Sequence, residues 1–242
     1  MRILTVLALL FFLTLEAKAA KAKAANTQGG KIYELDSEKK TLLFTMNAEL
    51  NTSKKGNTVF TSTWHDPDQN EVMTEEANFN GLELQNYLVK QKQLDETYEL
   101  EISSNEMHFS VNKEGQIKKK TRPLPANLVI GPSFVPFLKL HWAEIQNKKI
   151  VEATLAALDF MDVFRFEFEK LRDEKLNGND VVIVRMKPHS SLVSSVVRPM
   201  YFVVSSDGSR ILELKGRMLL KKKIGKRWHD LEAEAVFFYD DK

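Results

Sequence analysis

Polar and apolar residues alternate with a period of two through most of this chain. The alternation is clearest in residues 42–49, 98–102, 107–112, 164–169, 212–221 and 231–239. Because successive side chains of a strand point to opposite faces, each stretch predicts a strand with one buried face. Turn sequences such as Asn177-Gly178 and Asp207-Gly208 lie between the strands and are typical of β-hairpins.

One segment has a helical period instead. Behind Gly131-Pro132, the apolar and aromatic positions recur at helical spacing: Phe134, Phe137, Leu138, His141, Trp142 and Ile145. This spacing predicts one helix near residues 133–146, with Ser133 as its N-cap and Asn147 as its end. A further apolar stretch, residues 191–197, is expected to be a short helix or a loop that Pro199 limits.

Together these elements predict an all-β fold with mostly antiparallel strands. We expect a first meander over residues 31–121, a proline-containing bridge with the helix over residues 122–147, and a second meander over residues 149–240. Roughly ten to twelve strands at this spacing are typical of a sandwich or barrel. The prediction is a single β-rich domain, residues 31–242, built as a barrel-like or half-barrel curved sheet around one central helix.

The first residues have the layout of a secretory signal peptide. Arg2 precedes the apolar run 3–15, and Ala17-Lys18-Ala19 offers the small residues that signal peptidase requires. The run is shorter than the ~20 residues of a membrane-spanning helix. We therefore expect residues 1–19 to be cleaved near Ala19, leaving no stable membrane span, and residues 20–30 to be a flexible lead-in.

Charge and cysteine content narrow the function further. The formal net charge is +2, from 35 Lys and Arg against 33 Asp and Glu. A nucleic-acid-binding protein usually has a clear basic excess, so no nucleic-acid partner is expected. The chain has no cysteine, which excludes thiol catalysis, disulfides and the lipobox cysteine of a bacterial lipoprotein. A periplasmic or secreted protein, from a Gram-negative bacterium, fits this composition best.

Catalytic and metal-binding patterns are not found in the sequence. The histidines are not spaced as metal ligands, and the serines that follow His189 lack a nucleophile-elbow motif. Paired carboxylates such as Glu75-Glu76, and Asp159 with Asp162, are expected on the polar faces of strands. We therefore predict no catalytic residues, no metal site and no cofactor, and a protein that is not an enzyme.

Two basic clusters allow two interpretations. One comprises Lys118 to Lys120 with Arg122, and the other comprises Lys221 to Lys223 with Lys226 and Arg227. They could contact an anionic partner such as a lipid headgroup. Charged strand edges and turns that prevent aggregation are the favoured interpretation.

Large aromatic residues are the last signal. Those that we expect to line a ligand site are Phe134, Phe137, Trp142, Phe164, Phe166 and Phe168. The alternative is that they form an ordinary core. A helix that packs against a curved sheet can leave an apolar cavity, and these residues would then face it.

The order of elements resembles that of Lol-type periplasmic lipoprotein carriers and their outer-membrane receptors. The resemblance rests on the signal peptide, the two strand meanders and the central GPSFVPFLKLHW segment, and it covers the architecture of residues 31–240. The chain departs from the receptors in having no lipobox cysteine. The resemblance implies that the protein handles a lipid acyl chain or another apolar ligand.

The sequence therefore favours a periplasmic protein that binds or carries an apolar, lipid-like small molecule. Two alternatives stay open. One is a structural or assembly partner in the cell envelope that uses a sheet edge or a basic face, and the other is a hydrolase of an unfamiliar type.

Overall fold

The computed structural model describes residues 26–53, 56–195 and 197–240, and these residues contain fifteen strands in one sheet. The strands are β1 (Asn26–Glu34), β2 (Leu42–Thr52), β3 (Asn57–His65), β4 (Glu71–Asn80), β5 (Glu83–Gln91), β6 (Glu96–Ser103), β7 (Glu106–Lys113), β8 (Gln116–Pro123), β9 (Leu128–Val129), β10 (Val151–Ala157), β11 (Asp162–Leu176), β12 (Asn179–Pro188), β13 (Met200–Ser205), β14 (Ile211–Ile224) and β15 (Arg227–Tyr239). The helices are α1 (Phe134–Leu140), α2 (Trp142–Gln146) and α3 (Ser191–Ser194). Single 3₁₀ turns occupy Lys92–Leu94, Gly131–Ser133 and Leu158–Phe160.

The sheet consists of two meanders, which join where the first and the last strand of the chain pair. Strands β1 to β8 follow one another in chain order, as do β9 to β15, and the two series meet where β1 pairs with β15. All neighbours are antiparallel except β9 and β10. The predicted all-β, mostly antiparallel curved sheet is confirmed. Its strands are more numerous than predicted, because the glycine-rich β1, the lysine-rich β8 and the two-residue β9 lack apolar alternation.

The alternation of the sequence is reproduced in the burial of the strands. On β7, Met107, Phe109 and Val111 are buried, while the residues between them are at least partly exposed. On β15, Leu231, Ala233 and Ala235 are buried in the same way. The buried positions therefore share the concave face of the curved sheet.

The predicted helix is present as two short helices. A 3₁₀ turn at Gly131–Ser133 leads into α1, and the helical backbone is interrupted at His141 before α2 begins. The Ser133 hydroxyl accepts a hydrogen bond from the Ile130 backbone N–H at 2.8 Å, so it closes the preceding turn instead of capping α1. Asn147 ends α2 as expected, and its side chain donates to the Ala143 carbonyl at 2.8 Å.

The lead-in expected over residues 20–30 is wrong where it can be compared with the structure. Residues 26–30 form the first half of β1, because they pair with β2 on one side and β15 on the other. Gly30 fits there without a side chain, since a Cβ would lie 3.3 Å from both Met46 and Phe237. The predicted signal peptide and residues 20–25 lie outside the described residues.

The sheet is curved but does not close, because β8 and β9 remain its two edges. Contacts across the concave side hold the curve. The Asp162 carboxylate, at the start of β11, accepts hydrogen bonds from Lys120 (2.8 Å) and Arg122 (3.2 and 3.1 Å) on edge strand β8. The Gln91 side chain, at the end of β5, donates to the Leu219 carbonyl on β14 at 2.9 Å. Among the described helices, none is long and apolar enough to cross a membrane.

Candidate functional site

A partly open cavity of about 660 Å³ lies on the concave side of the sheet. It separates two hydrophobic clusters, one built mainly by β2–β7 and the other by α1, α2 and β10–β14. Small-molecule sites in proteins usually enclose ~300–1,000 Å³ and are mostly apolar. The cavity therefore has the size and the lining of a ligand site.

Three of the six predicted site residues line this cavity. They are Phe134 on α1 and the two strand residues Phe164 and Phe166 on β11. The period of two places Phe164 and Phe166 on the same face of β11, and α1 brings Phe134 toward that face. The Phe134 ring lies 6.1 Å from the Phe168 ring and 5.5 Å from the Phe202 ring.

The other three predicted residues are packed away from the cavity. Phe168 is fully buried, and its ring centroid lies 5.1 Å from that of Phe137 and 6.1 Å from that of Phe202. We call Phe134, Phe137, Phe168 and Phe202 the aromatic core. Phe137 and Phe168 fill the space between helix and sheet, because the helix approaches the sheet closely there.

Trp142, at the surface of α2, contacts the β13–β14 turn instead of the cavity. Its Nε1 donates to the Ser206 carbonyl at 2.9 Å, and its ring lies over Gly208 in the β13–β14 turn. A Cβ at Gly208 would lie 2.5 Å from the indole ring, and the backbone there has a φ of +73°. Glycine is therefore required at this turn on both counts, and Trp142 fastens the helix to the hairpin.

The opposite wall of the cavity was not anticipated from the sequence. It is formed by residues of the first meander, including Trp64 on β3, Met73 and Glu75 on β4, and Tyr87 and Val89 on β5. Each of these follows the period-two pattern of its strand and is buried. The period-two pattern predicts which residues of these strands face inward. The sequence analysis placed the ligand site near the helix instead, because the aromatic residues are concentrated there.

Glu75 is the main correction to the sequence analysis. Its side chain was expected on a polar strand face, yet it lies on the inward face between Met73 and Ala77 and is only 7% exposed. The Glu75 carboxylate accepts hydrogen bonds from Ser62 Oγ at 2.7 Å, from Trp64 Nε1 at 2.9 Å and from the Tyr87 hydroxyl. Within the described part of the chain, no lysine, arginine or histidine forms an ion pair with it. Buried carboxylates need such donors, because burial without them is costly.

Tyr87 is held as a neutral donor in this arrangement. Burial raises the pKa of Tyr87 well above its usual value, and the adjacent Glu75 carboxylate raises it further. The hydroxyl therefore keeps its proton and continues to donate to Glu75 throughout the ordinary pH range.

Gln91 completes a polar strip on this wall. The β4–β5 register places Gln91 opposite Met73 and therefore diagonal to Glu75 on the same face. Gln91 is 2% exposed and lines the cavity, and its Oε1 is buried with no hydrogen-bond partner. We call Ser62, Trp64, Glu75, Tyr87 and Gln91 the polar wall.

The rim of the cavity carries exposed apolar groups beside charged ones. Phe160 and Leu219 line the cavity and are also exposed to solvent, at 57% and 37%. Next to them, two carboxylates pair with two cations. Asp230 lies 2.7 Å from Arg217 and 2.6 Å from Lys221, and Asp159 lies 3.7 Å from each of them. A ligand that enters here would pass apolar side chains whose charged neighbours are already neutralised.

One group of side chains outside the cavity could hold a metal ion. Ligand atoms of Glu152, Glu167 and His189 lie within 4.8 Å of one another on the convex face. Two cations already approach this group: Arg165 lies 3.2 Å from Glu152, and Lys187 lies 3.2 Å from Glu167. An ion-pair network accounts for this group, and sequence spacing missed it because Glu152 and Glu167 lie on two different strands and His189 follows a third.

Two of the serines that follow His189, Ser194 and Ser195, hydrogen-bond to the backbone and not to the imidazole. The hydroxyls of Ser194 and Ser195 donate to backbone carbonyls, and His189 Nδ1 lies 2.8 Å from Glu167. The stretch predicted as a short helix or loop forms α3, a single helical turn.

One of the two basic clusters lies on a sheet edge, and the other lies at a hairpin tip. Lys118 to Lys120 and Arg122 lie on β8, which is an edge strand. The second cluster occupies the tip of the β14–β15 hairpin, where Lys223 lies over the Trp228 ring at 5.5 Å. Charges on an exposed edge discourage pairing with a strand of another molecule.

No protein-family model matches the chain, and no curated protein matches it in sequence. Similar solved structures include a β-barrel-like DUF1849 protein from Brucella abortus, with 9% identity and a TM-score of 0.45 over 90% of this chain and 98% of that one. A candidate lipoprotein from Parabacteroides distasonis has 12% identity and a TM-score of 0.35, over 89% and 94% of the two chains. A candidate outer membrane lipoprotein-sorting protein domain from Vibrio parahaemolyticus has 10% identity and a TM-score of 0.28, over 90% and 85%. The likeness is one of overall architecture at low identity, and nothing about this chain's ligand or role follows from it.

Proposed function

We propose that this protein binds an apolar, lipid-like small molecule in the cavity between the aromatic core and the polar wall, and that it does so in the cell envelope after export. The observation that carries the proposal is the cavity itself, about 660 Å³ of space lined mainly by aromatic and aliphatic side chains. Apolar side chains that line an open cavity lose part of the free energy of burial, and a bound apolar molecule would restore it.

The lining supports binding of a flexible apolar chain. Methionines line both sides, with Met46, Met73 and Met218 toward the first meander and Met186 and Met200 toward the second. Their unbranched side chains adapt to ligands of different shape. The exposed Phe160 and Leu219 at the rim give such a chain an apolar route inward.

Export is the second part of the proposal. The signal-peptide layout of residues 1–19 supports it, and a periplasmic or secreted location would expose the protein to membrane lipids. The role is binding or carrying, not catalysis.

The test is binding of Nile red, an uncharged apolar dye, followed by fluorescence. Leu155 lines the cavity, so Leu155→Trp would place an indole in it; we expect at least a tenfold loss of affinity for the dye. Leu140→Trp is the matched control, since Leu140 is 66% exposed and does not line the cavity. Equal dye binding by both variants would contradict the proposal.

A direct search for the natural ligand complements this test. Protein purified from its own host is analysed by native mass spectrometry and by lipid extraction. We expect a bound small molecule that is lost on extraction with organic solvent, and less of it in Leu155→Trp than in Leu140→Trp. Ligand-free protein that also fails to bind Nile red would count against the proposal.

A further inference from the structure

The polar wall contains a buried hydrogen-bond acceptor that no protein donor satisfies within the described residues. Within residues 26–53, 56–195 and 197–240, the buried polar or charged side chains are Ser62, Glu75, Gln91, Ser133 and Thr154. The first three lie on the neighbouring strands β3, β4 and β5. Polar groups are therefore concentrated on one wall of the cavity.

Gln91 has an unused acceptor at this wall. Its Nε2 donates to the Leu219 carbonyl at 2.9 Å, which fixes the orientation of the amide because a flipped group would set two oxygens against each other. The other end of the amide is then Oε1, which is buried and has no partner within the described part of the chain. A buried acceptor without a donor costs free energy, and a ligand that donates to it would remove that cost.

Glu75 determines which donors can be accommodated there. Three protein groups donate to its carboxylate, and none of the cations in the described ranges pairs with it. The cations that line the cavity, Arg217 and Lys221, are paired with the carboxylates of Asp159 and Asp230 at the rim. The negative charge of Glu75 lies in a poorly hydrated wall, where it repels a ligand carboxylate or phosphate strongly. The same charge favours a neutral donor and attracts a cationic one.

We propose that the ligand of this cavity carries a hydrogen-bond-donating head group without negative charge, a hydroxyl, amide or ammonium, which binds at Gln91 Oε1 beside Glu75 while its apolar chain extends toward Phe164 and Phe166. This inference rests on the proposed function. It narrows the ligand class from any apolar molecule to amphiphiles with a donor head, and it excludes free fatty acids as preferred ligands.

The test compares four amphiphiles that carry an unbranched chain of seven or eight carbons and have different head groups. Octan-1-ol and octylamine donate hydrogen bonds, methyl octyl ether accepts only, and octanoate is anionic. Titration calorimetry at pH 7.5 measures each affinity. We expect the alcohol and the amine to bind about ten times more tightly than the ether, because one hydrogen bond to a buried acceptor is worth roughly this factor. Octanoate should bind most weakly.

Two variants locate the effect. Gln91→Leu removes the acceptor, and the alcohol-to-ether affinity ratio should fall to about one. Glu75→Gln removes the charge while keeping the shape, and octanoate should then gain at least tenfold relative to octan-1-ol. If Gln91→Leu does not fold, the octanoate-to-octanol affinity ratio of Glu75→Gln tests the inference instead. This variant keeps the hydrogen bond from Gln91 to the Leu219 carbonyl.

The outcomes separate this inference from the proposed function. If octanoate binds the wild-type protein as tightly as octan-1-ol, or if the ratios do not change in the variants, the head-group inference is wrong while the apolar site remains. If none of the four compounds binds and Nile red does not bind either, the proposed function is wrong and the inference with it.

Discussion

The aromatic core and the polar wall lie on opposite sides of one cavity, and they are built in different ways. In the aromatic core, four phenylalanine rings of α1, β11 and β13 lie 5.1–6.1 Å apart, in the tilted and edge-on geometry that aromatic pairs favour. In the polar wall, a carboxylate and an amide occupy inward positions that apolar side chains could fill. Dense packing of helix on sheet therefore stabilises one side of the cavity, whereas the other side retains buried polar groups.

The largest expected effect is in the aromatic core. Phe137→Asp would place an unpaired charge between the Phe168 ring, at 5.1 Å, and the His141 ring, at 4.8 Å. We expect a loss of about 4 kcal/mol or more in the free energy of unfolding, since burial of an unpaired charge adds to the lost packing. Urea denaturation measures it.

Leu140→Asp on the same helix is the control for this substitution. Leu140 is 66% exposed, so a charge there should change stability by less than about 0.5 kcal/mol. Equal stability of the two variants would mean that the helix does not pack on the sheet as described.

A substitution in the polar wall should lower the free energy of unfolding by less than one in the aromatic core. Tyr87→Phe removes one of the donors to the Glu75 carboxylate and leaves one carboxylate oxygen without a protein partner. We expect a loss of about 2 kcal/mol in stability, the usual cost of an unsatisfied buried charged acceptor. Tyr33→Phe on β1 is the control, because the Tyr33 hydroxyl makes no hydrogen bond to any described residue. A Tyr87→Phe variant as stable as that control would show that Glu75 does not depend on this donor.

The ion pairs that draw the two sides together should have the smallest effect. Hydrogen bonds from Arg122 and Lys120 hold the pKa of the Asp162 carboxyl well below its usual range. Because folding lowers this pKa, the ion pairs of Asp162 contribute to stability at pH values above the pKa of an unfolded aspartate, ~3.9. That contribution to stability is lost as the pH falls toward the pKa of Asp162 in the folded protein. At pH 7 we expect Asp162→Asn to cost about 1 kcal/mol, because solvent screens these partly exposed groups.

The pH dependence distinguishes this contribution from simple loss of packing. The stability difference between the wild-type protein and Asp162→Asn should be constant from pH 5 to 8 and shrink below about pH 4. Asp180→Asn, whose carboxylate is 75% exposed, should show almost no difference at any pH. A difference for Asp162→Asn that persists unchanged at pH 2.5 would contradict the ion-pair explanation.

The fold was largely predictable from the sequence because its signals are local. Alternation over residues 107–112 and 231–239 predicts strands whose buried faces are found as expected, and the spacing from Phe134 to Ile145 predicts the helical segment. The start of β1 was missed, because Gly29 and Gly30 carry no apolar signal and are fixed by pairing with β2 and β15.

The site was only half predictable, because a cavity depends on the distance between elements. Phe166 and Phe168 share one face of β11, yet only Phe166 lines the cavity, since α1 covers Phe168. Glu75 shows the opposite failure. Its polar side chain suggested an outward position, whereas the strand period placed it inward and donors on neighbouring strands made that position tolerable.

Trp64 offers the most direct measurement of whether an apolar chain occupies the cavity. It lines the cavity and is 9% exposed, whereas Trp142 and Trp228 lie elsewhere. In the double variant Trp142→Phe/Trp228→Phe, Trp64 is the remaining tryptophan, and a fatty alcohol with bromine on its chain quenches indole emission on contact. We predict saturable quenching by the brominated alcohol, reversed by the unbrominated one, and little quenching by potassium bromide at the same bromine concentration. Quenching that does not saturate, or that potassium bromide reproduces, would contradict the account.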